Sequence, residues 1–251
     1  MLKEERDGPT LVLTLANPAR RNALAMEMRR ALADAFERAE ADSELRAVVL
    51  TGAGGTFCSG GDISDMNATD IVAGRERFRL THHLVRLVAC GSKPVIAAVE
   101  GFAVGAGLSL ALLCDTVVAA EDARFAAPFG AVGLVADFAL PYTLPLRVGQ
   151  GRARQILLYG ERMDARTAER SGLVDHVVPP GTALEVAITR AARFAEMAPL
   201  PVALTRSFLA RDLDSALTWE RDTQAALFTT ADHAEGKAAF LDKRKPVFTG
   251  R

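Results

Sequence analysis

Two stretches of the chain are apolar at successive rather than alternate positions, AVVL (Ala47 to Leu50) and PVIAAV (Pro94 to Val99). A strand apolar on both faces has to be covered on both faces, the condition of a parallel sheet with helices packed above and below it. Each stretch runs into a corner of glycines and small residues, GAGGTFCSGGDI (Gly52 to Ile63) after the first and GFAVGAGLSL (Gly101 to Leu110) after the second. Any fold for this chain must give two bare backbone corners a place just beyond two buried strands.

The rest of the first half alternates strand and helix. TLVLTLANP reads as a strand ending at the Asn17-Pro18 turn, and Met28, Leu32, Ala35, Phe36 and Ala39 recur at spacings of three and four, which predicts a helix over 25–41. A polar, irregular stretch from Ser64 to about Arg75 precedes an amphipathic helix over roughly Glu76 to Ala89. AGLSLALLCD then reads as a short apolar helix and TVVAAEDARFAAP as a strand with a following turn. Strand and helix in this order imply βα units with parallel pairing. After Pro141 the pattern is helix with short connections, including a long Ala/Arg-rich helix from Ala183 to Ala198 that Pro199 and Pro201 break. The last fifty residues read as helices without strand partners. Phe208, Leu209, Leu213, Leu217, Trp219, Leu227, Phe228 and Phe240 give them more apolar surface than a short tail can bury on itself.

With 251 residues, 49% of them hydrophobic, the chain can form one large domain with a substantial core. Its 30 basic and 31 acidic residues are interspersed, with a formal charge of −1, so there is no concentrated positive field to recruit nucleic acid or an anionic membrane. Cys58, Cys90 and Cys114 form no CxxC pair and read as small buried hydrophobes in a reducing compartment. MLKEERDGPT carries charge and no apolar leader core, and no apolar run reaches ~18 residues, so a soluble, unexported, cytoplasmic protein is expected.

The corners do not fit a phosphate loop. Gly52-Ala53-Gly54 is followed by Phe57 and Gly105-Ala106-Gly107 by Leu110 where a dinucleotide fingerprint needs its third glycine, and no GK[ST] follows either. Two readings remain. Glycine permits sharp turns and close packing of helix on sheet. Alternatively, small residues between a strand and a helix start leave backbone N–H groups unpaired and aimed at a common space, where two of them hold the oxygen of an enolate or tetrahedral intermediate. A thioester carbonyl suits such a hole.

FCSGGDI, KPVIAAVEGFAVGAGLSLALLCD, ARFAAPFGAVGLVADFALPYTLPLRVGQGRARQILLYGERMDARTAERSGLVDHVV and EGKAAFLDKRKPVF follow one another in an order and spacing that closely resembles the crotonase, or enoyl-CoA hydratase/isomerase, family, from about Leu11 to the C-terminus. The resemblance implies an α/β fold, a crotonase-like spiral of βα (ββα) units forming two sheets. Residues 1–198 would be the acyl-CoA-binding and catalytic core, and 199–251 a C-terminal helical region used for trimerisation and part of the coenzyme A site. It also implies an acyl-CoA thioester of fatty-acid metabolism as substrate, no cofactor beyond the coenzyme A of that thioester, no metal, and a homotrimer or dimer of trimers. Carried over by position, the oxyanion donors are the N–H groups of Gly61 and of Ala106, the latter standing where the family usually has glycine. The backbone from Ser59 through Asp62 to Ile63 resembles the adenine pocket, Ala23 belongs to the same surface, and Arg20 and Arg21 resemble basic residues near the phosphates. Phe240 and Lys243 resemble a pair that reaches the nucleotide of a neighbouring subunit, although a tail folded back on its own subunit also occurs in the family.

The chain departs from the hydratase pattern at two positions. Ser109 and Phe129 stand where hydratases carry the two glutamates that hold and activate water, so weak or absent hydratase activity is expected. A different carboxylate, Asp137 in GLVADFALP, matches the aspartate of phenylacetate-pathway isomerases and chlorobenzoyl-CoA dehalogenases. Its apolar neighbours should raise its pKa toward a value useful for proton exchange. As a plain alternative, Asp137 caps the helix that starts near Leu140. His82 falls where the dehalogenases carry a functional histidine, and Phe129 where they carry an aromatic residue. As an ordinary member of THHLVRLV, His82 would instead be a partly exposed helix histidine. The expected activity is a double-bond shift in an enoyl-CoA, through an enolate held by Gly61 and Ala106, with Asp137 moving the proton. The alternatives are a catalytically silent acyl-CoA binder and a dehalogenase-like or hydrolytic enzyme with Asp137 as nucleophile.

Overall fold

The computed structural model describes residues 2–67 and 70–251. Along the first half run β1 (Leu2–Asp7), β2 (Thr10–Leu15), α1 (Met26–Ala41), β3 (Ala47–Gly52), α2 (Ile71–Cys90), β4 (Val95–Val99), β5 (Phe102–Val104), α3 (Ala106–Leu113), β6 (Thr116–Ala120) and β7 (Arg124–Ala126). The second half adds α4 (Leu140–Tyr159), β8 (Met163–Asp164), α5 (Ala165–Arg170), β9 (His176–Val178), α6 (Ala183–Ala192), α7 (Pro199–Leu209), α8 (Leu213–Leu227) and α9 (Ala231–Leu241).

The strands apolar on both faces form the middle of a six-stranded sheet ordered β1-β2-β3-β4-β6-β9, in which every pair except β1 with β2 is parallel. Side chains alternate between its faces. Val12, Val49, Ile96, Ala98 and Val118 point to one face, where Ala183, Ala187 and Ala191 of α6 cover them. Leu13, Val48, Leu50, Val95 and Ala97 belong to the main core on the other face, together with residues of α1, α2 and α3. A second sheet of three strands, β5-β7-β8, stands apart from the first. Among the described residues no helix is long and apolar enough to cross a membrane.

Several elements differ from the pattern expectations. The charged N-terminus is a strand, β1, paired antiparallel to β2; nearly all of its side chains are exposed, as suits a charged sheet edge. The segment after Val99 forms β5, too short for a period to reveal, and β7, β8 and β9 lie in stretches read as turn or helix. Helix α2 begins at Ile71 rather than Glu76 because Asp70 caps it, its side chain accepting the Ala73 N–H at 2.8 Å. The Ala/Arg-rich helix ends at Ala192, and Pro199 opens α7 from its first turn, where a missing N–H leaves no helical bond unmade. Cys58 and Cys114 are buried as expected, but Cys90 is exposed at the end of α2.

The C-terminal helices pack on their own chain. Gly74 of α2 lets the backbone of α8 approach at Ala225, and Phe78 stacks on Phe228 with ring centroids 6.1 Å apart. Leu200, Leu204, Phe208 and Leu209 of α7 and Trp219 of α8 stay largely exposed.

Candidate active site

The two corners meet because β5 runs beside the first of them. The Cys58 N–H donates to the Phe102 carbonyl at 2.9 Å and the Val104 N–H to the Cys58 carbonyl at 3.0 Å. Glycine makes the approach possible at two points. Gly60 has φ 113°, and a Cβ there would lie 2.9 Å from the Val104 oxygen. A Cβ on Gly107 would run into the Cys58 carbonyl. Ala106 is the first residue of α3, so its N–H has no carbonyl one turn earlier. Among the described residues neither this N–H nor that of Gly61 has an acceptor. The turn after β2 braces the corner: Leu24 N–H donates to Gly60, Ser59 N–H to Arg21, and the fully buried Asn22 side chain ties Asn17 to the Ala53 and Thr56 carbonyls.

Gly61 and Ala106 open on a cavity of about 690 Å³. Its wall brings together most of the expected site. Arg20, Arg21, Ala23, Ser59, Asp62 and Ile63 line it, as do Phe129 and Asp137, and Phe240 and Leu241 of α9 complete it. Arg20 pairs with Asp62 at 2.5 Å, and Ser64 donates to the same carboxylate from both its N–H and its hydroxyl. Burial opposes the charge on Asp62, but the bonds from Ser64 and Arg20 outweigh it and hold the carboxyl below its usual range. Arg20 is thereby engaged, while Arg21 sits exposed on the rim in a left-handed conformation, φ 49°.

Phe240 lines the cavity of its own chain, the arrangement of a tail folded back on its own subunit, because Gly236 lets α9 lie against Val132 and Gly133 admits the backbone at Asp232 and His233. Lys243 is not on the wall of its own chain's cavity; the chain turns there in a left-handed conformation, φ 54°, just beyond α9, and the residue is exposed. One expectation needs correction: His82 is neither exposed nor on the cavity. It is 5% exposed, and its Nε2 lies 3.0 Å from Oε1 of the buried Glu220.

Among the described residues no glutamate pair lines the wall. Ser109 is fully buried with its hydroxyl donated to the Gly105 carbonyl at 3.2 Å, and Phe129 presents its ring. Asp137 is 6% exposed and its Oδ1 has no hydrogen-bond partner among the described residues. Burial raises its pKa to about 7; Arg29 and Arg77 pull against that rise and Glu220 adds to it. Nor does Asp137 cap α4, whose N-cap residue is Ala139.

The family model for enoyl-CoA hydratase/isomerase matches residues 5–251. The chain belongs to the enoyl-CoA hydratase/isomerase family. It is 38% identical over 251 residues to the 1,2-epoxyphenylacetyl-CoA isomerase of Escherichia coli K12, covering 96% of this chain and 95% of that one. It is 35% identical to the short-chain-enoyl-CoA hydratase of Clostridium acetobutylicum, with 96% and 94% covered. An enoyl-CoA hydratase structure from Mycobacterium avium subsp. paratuberculosis K-10 superposes with a TM-score of 0.89 at 33% identity, covering 99% of this chain and 98% of the other.

Within this enoyl-CoA hydratase/isomerase family member, the residues that pattern reading missed are polar groups on apolar helix stripes. Arg29 of α1 is 1% exposed; it donates to the Leu24 carbonyl and to Thr81 Oγ1 and lies 4.8 Å over the Phe138 ring. Burial and Arg77 lower its pKa to about 10, which leaves it protonated at neutral pH. Its i+3, i+4 and i+7 neighbours are Leu32, Ala33 and Phe36, all buried, so helical periodicity alone places it inside.

Proposed function

We propose that the protein shifts a double bond in an enoyl-CoA thioester. The thioester oxygen sits between the Gly61 and Ala106 N–H groups, where one such donor is worth ~3 kcal/mol once negative charge develops. Asp137 takes a proton from C2 of the thioester, leaving the dienolate, and returns the same proton to C4, so that the double bond moves into conjugation. One observation carries the reading: of the carboxylates that line the wall among the described residues, Asp62 is engaged by Arg20 and Ser64, whereas Asp137 is buried, has an Oδ1 without a partner and is poised to titrate near neutrality. Activation of water for hydration has no carboxylate pair to rest on, with Ser109 and Phe129 at the corresponding places. Coenzyme A lies along Ala23 and 59–63 with Phe240 at its side, and the exposed apolar face of α7 carries a trimer or dimer of trimers.

Parallel assays with 3-enoyl-CoA and crotonyl-CoA thioesters test this. Isomerisation with little hydration is expected; efficient crotonyl-CoA hydration without isomerisation overturns the proposal.

A further inference from the structure

The segment that carries Asp137 is held by a helix outside the cavity. Phe138 and Ala139 follow it with φ of 53° and 57°. Left-handed backbone is unfavourable at residues with side chains and persists only where surrounding contacts impose it. Glu220 of α8, 1% exposed, supplies those contacts. Its Oε1 accepts the Phe138 N–H at 3.0 Å and faces His82 Nε2 at 3.0 Å, and its Oε2 accepts the Ala139 N–H at 2.7 Å. One helical turn further on, Gln224 donates to the Val135 carbonyl at 2.8 Å. Side chains at i and i+4 of one helix therefore grip both flanks of Asp137. Hydrogen bonds to a charged group are stronger than those between neutral groups, and two of them offset the two left-handed residues.

We infer that Glu220, oriented by His82 and assisted by Gln224, is the positioning residue for Asp137, fixing the turn that keeps its carboxyl on the cavity wall. The inference deepens the acid/base reading of Asp137 and rests on it. Glu220 also acts through charge. The groups facing Asp137 are Arg29 from α1, Arg77 from α2 and Glu220 from α8, with His82 of α2 behind Glu220. Two cations favour the ionised carboxylate, and Glu220 is the anion that opposes them. A cap with no further role would hold the turn without setting where Asp137 titrates.

The test labels aspartate carboxyl carbons with ¹³C and follows the Asp137 resonance, assigned by its loss in Asp137→Asn, in the full-length protein without substrate. In Glu220→Gln the midpoint falls by about one pH unit or more, because the cations are then unopposed. The acid limb of the turnover profile moves with it. Glu220→Asp keeps the charge but shortens the reach, so the midpoint stays within a few tenths of a unit while kcat drops about tenfold or more at unchanged KM. His82→Gln keeps a donor for Glu220 and recovers turnover that His82→Leu loses. A folded Glu220→Gln protein whose Asp137 midpoint is unmoved overturns the inference. Should that variant not fold, equal turnover and equal Asp137 midpoints in His82→Leu and wild type overturn it instead. The midpoint is read without turnover, so a protein inactive on every thioester sinks the isomerase reading while the shift still decides the role of Glu220.

Discussion

The corner that holds Gly61 and Ala106 and the segment that holds Asp137 share one cavity and are specified by opposite means. At the corner the groups offered to the cavity belong to the backbone. Gly60 and Gly107 admit a close approach that side chains would forbid, and the start of α3 leaves a free N–H by the geometry of any helix. At the Asp137 segment the chemistry belongs to a side chain, and the backbone beneath it is held in an unfavourable conformation by Glu220 and Gln224, 81 to 89 residues later in the chain. Local encoding makes the corner robust to changes elsewhere. Remote encoding makes the Asp137 segment adjustable, since its orientation and its protonation can both be altered from α8 without touching the cavity.

The corner can be broken at a single atom. Proline is accepted at the first position of a helix, so Ala106→Pro removes one donor while α3 keeps its start. Loss of one oxyanion donor costs roughly 10²–10³ in kcat. Steady-state kinetics with a 3-enoyl-CoA measures it, and a loss below about tenfold would remove the Ala106 N–H from the mechanism.

Asp137→Asn separates chemistry from stability, and the two respond with opposite sign. Turnover falls by ~10²-fold or more while acyl-CoA binding survives, because the amide keeps the shape and loses the base. Turnover of the wild type itself declines below about pH 7 as the base takes up its proton. Stability goes the other way. The Asp137 carboxyl holds its proton more tightly folded, with a pKa of about 7, than unfolded, near 3.8. The folded protein therefore loses stability as pH rises between these values and carries the whole penalty above the higher one, at most about 4 kcal/mol. The asparagine variant is free of that term, so its melting temperature should exceed that of the wild type by several degrees at pH 8 and by little or nothing at pH 4, read by calorimetry. Equal melting temperatures at both pH values would mean that Asp137 is not held in a costly ionised state at pH 8.

The same contrast explains what could be seen in the sequence. Runs apolar on both faces and the corners that follow them are properties of contiguous residues, and β3, β4 and α3 stand where those residues put them, with Gly61 and Ala106 on the cavity. Asp137 could be singled out only through the family resemblance, since GLVADFALP by itself suggests a helix cap. Strand β1 reads as a charged tail because an exposed edge strand needs no apolar alternation, and the three residues of β5 are too few for a period. Glu220 and Gln224 did leave a trace. They continue the stripe of Leu213 and Leu217 on α8, all four buried, and a charged residue on an apolar stripe signals a buried partner without naming it. The burial of His82 is hidden from THHLVRLV for the same reason: its partner lies 138 residues away.

The smallest effect concerns the other C-terminal contribution, α9. Phe240 lies on the cavity of its own subunit although 59% of it remains exposed, so it covers the bound ligand with only part of its ring. Removing that partial cover costs about 1 kcal/mol, which is roughly fivefold in KM for Phe240→Ala, with the effect on affinity rather than on kcat. If the ring serves its own subunit, mixing Phe240→Ala protomers with Asp137→Asn protomers changes nothing at the sites that still react. Those sites belong to Phe240→Ala chains, and their KM stays at the raised value. If the ring served a neighbour in the assembly, some of those same sites would receive an intact Phe240 from an Asp137→Asn chain, and their KM would return toward wild type. Refolding the two variants together and measuring KM against the unmixed Phe240→Ala protein decides it. A return toward the wild-type value would mean that α9 completes a neighbour's cavity, and the cis contribution proposed for α8 would then stand without it.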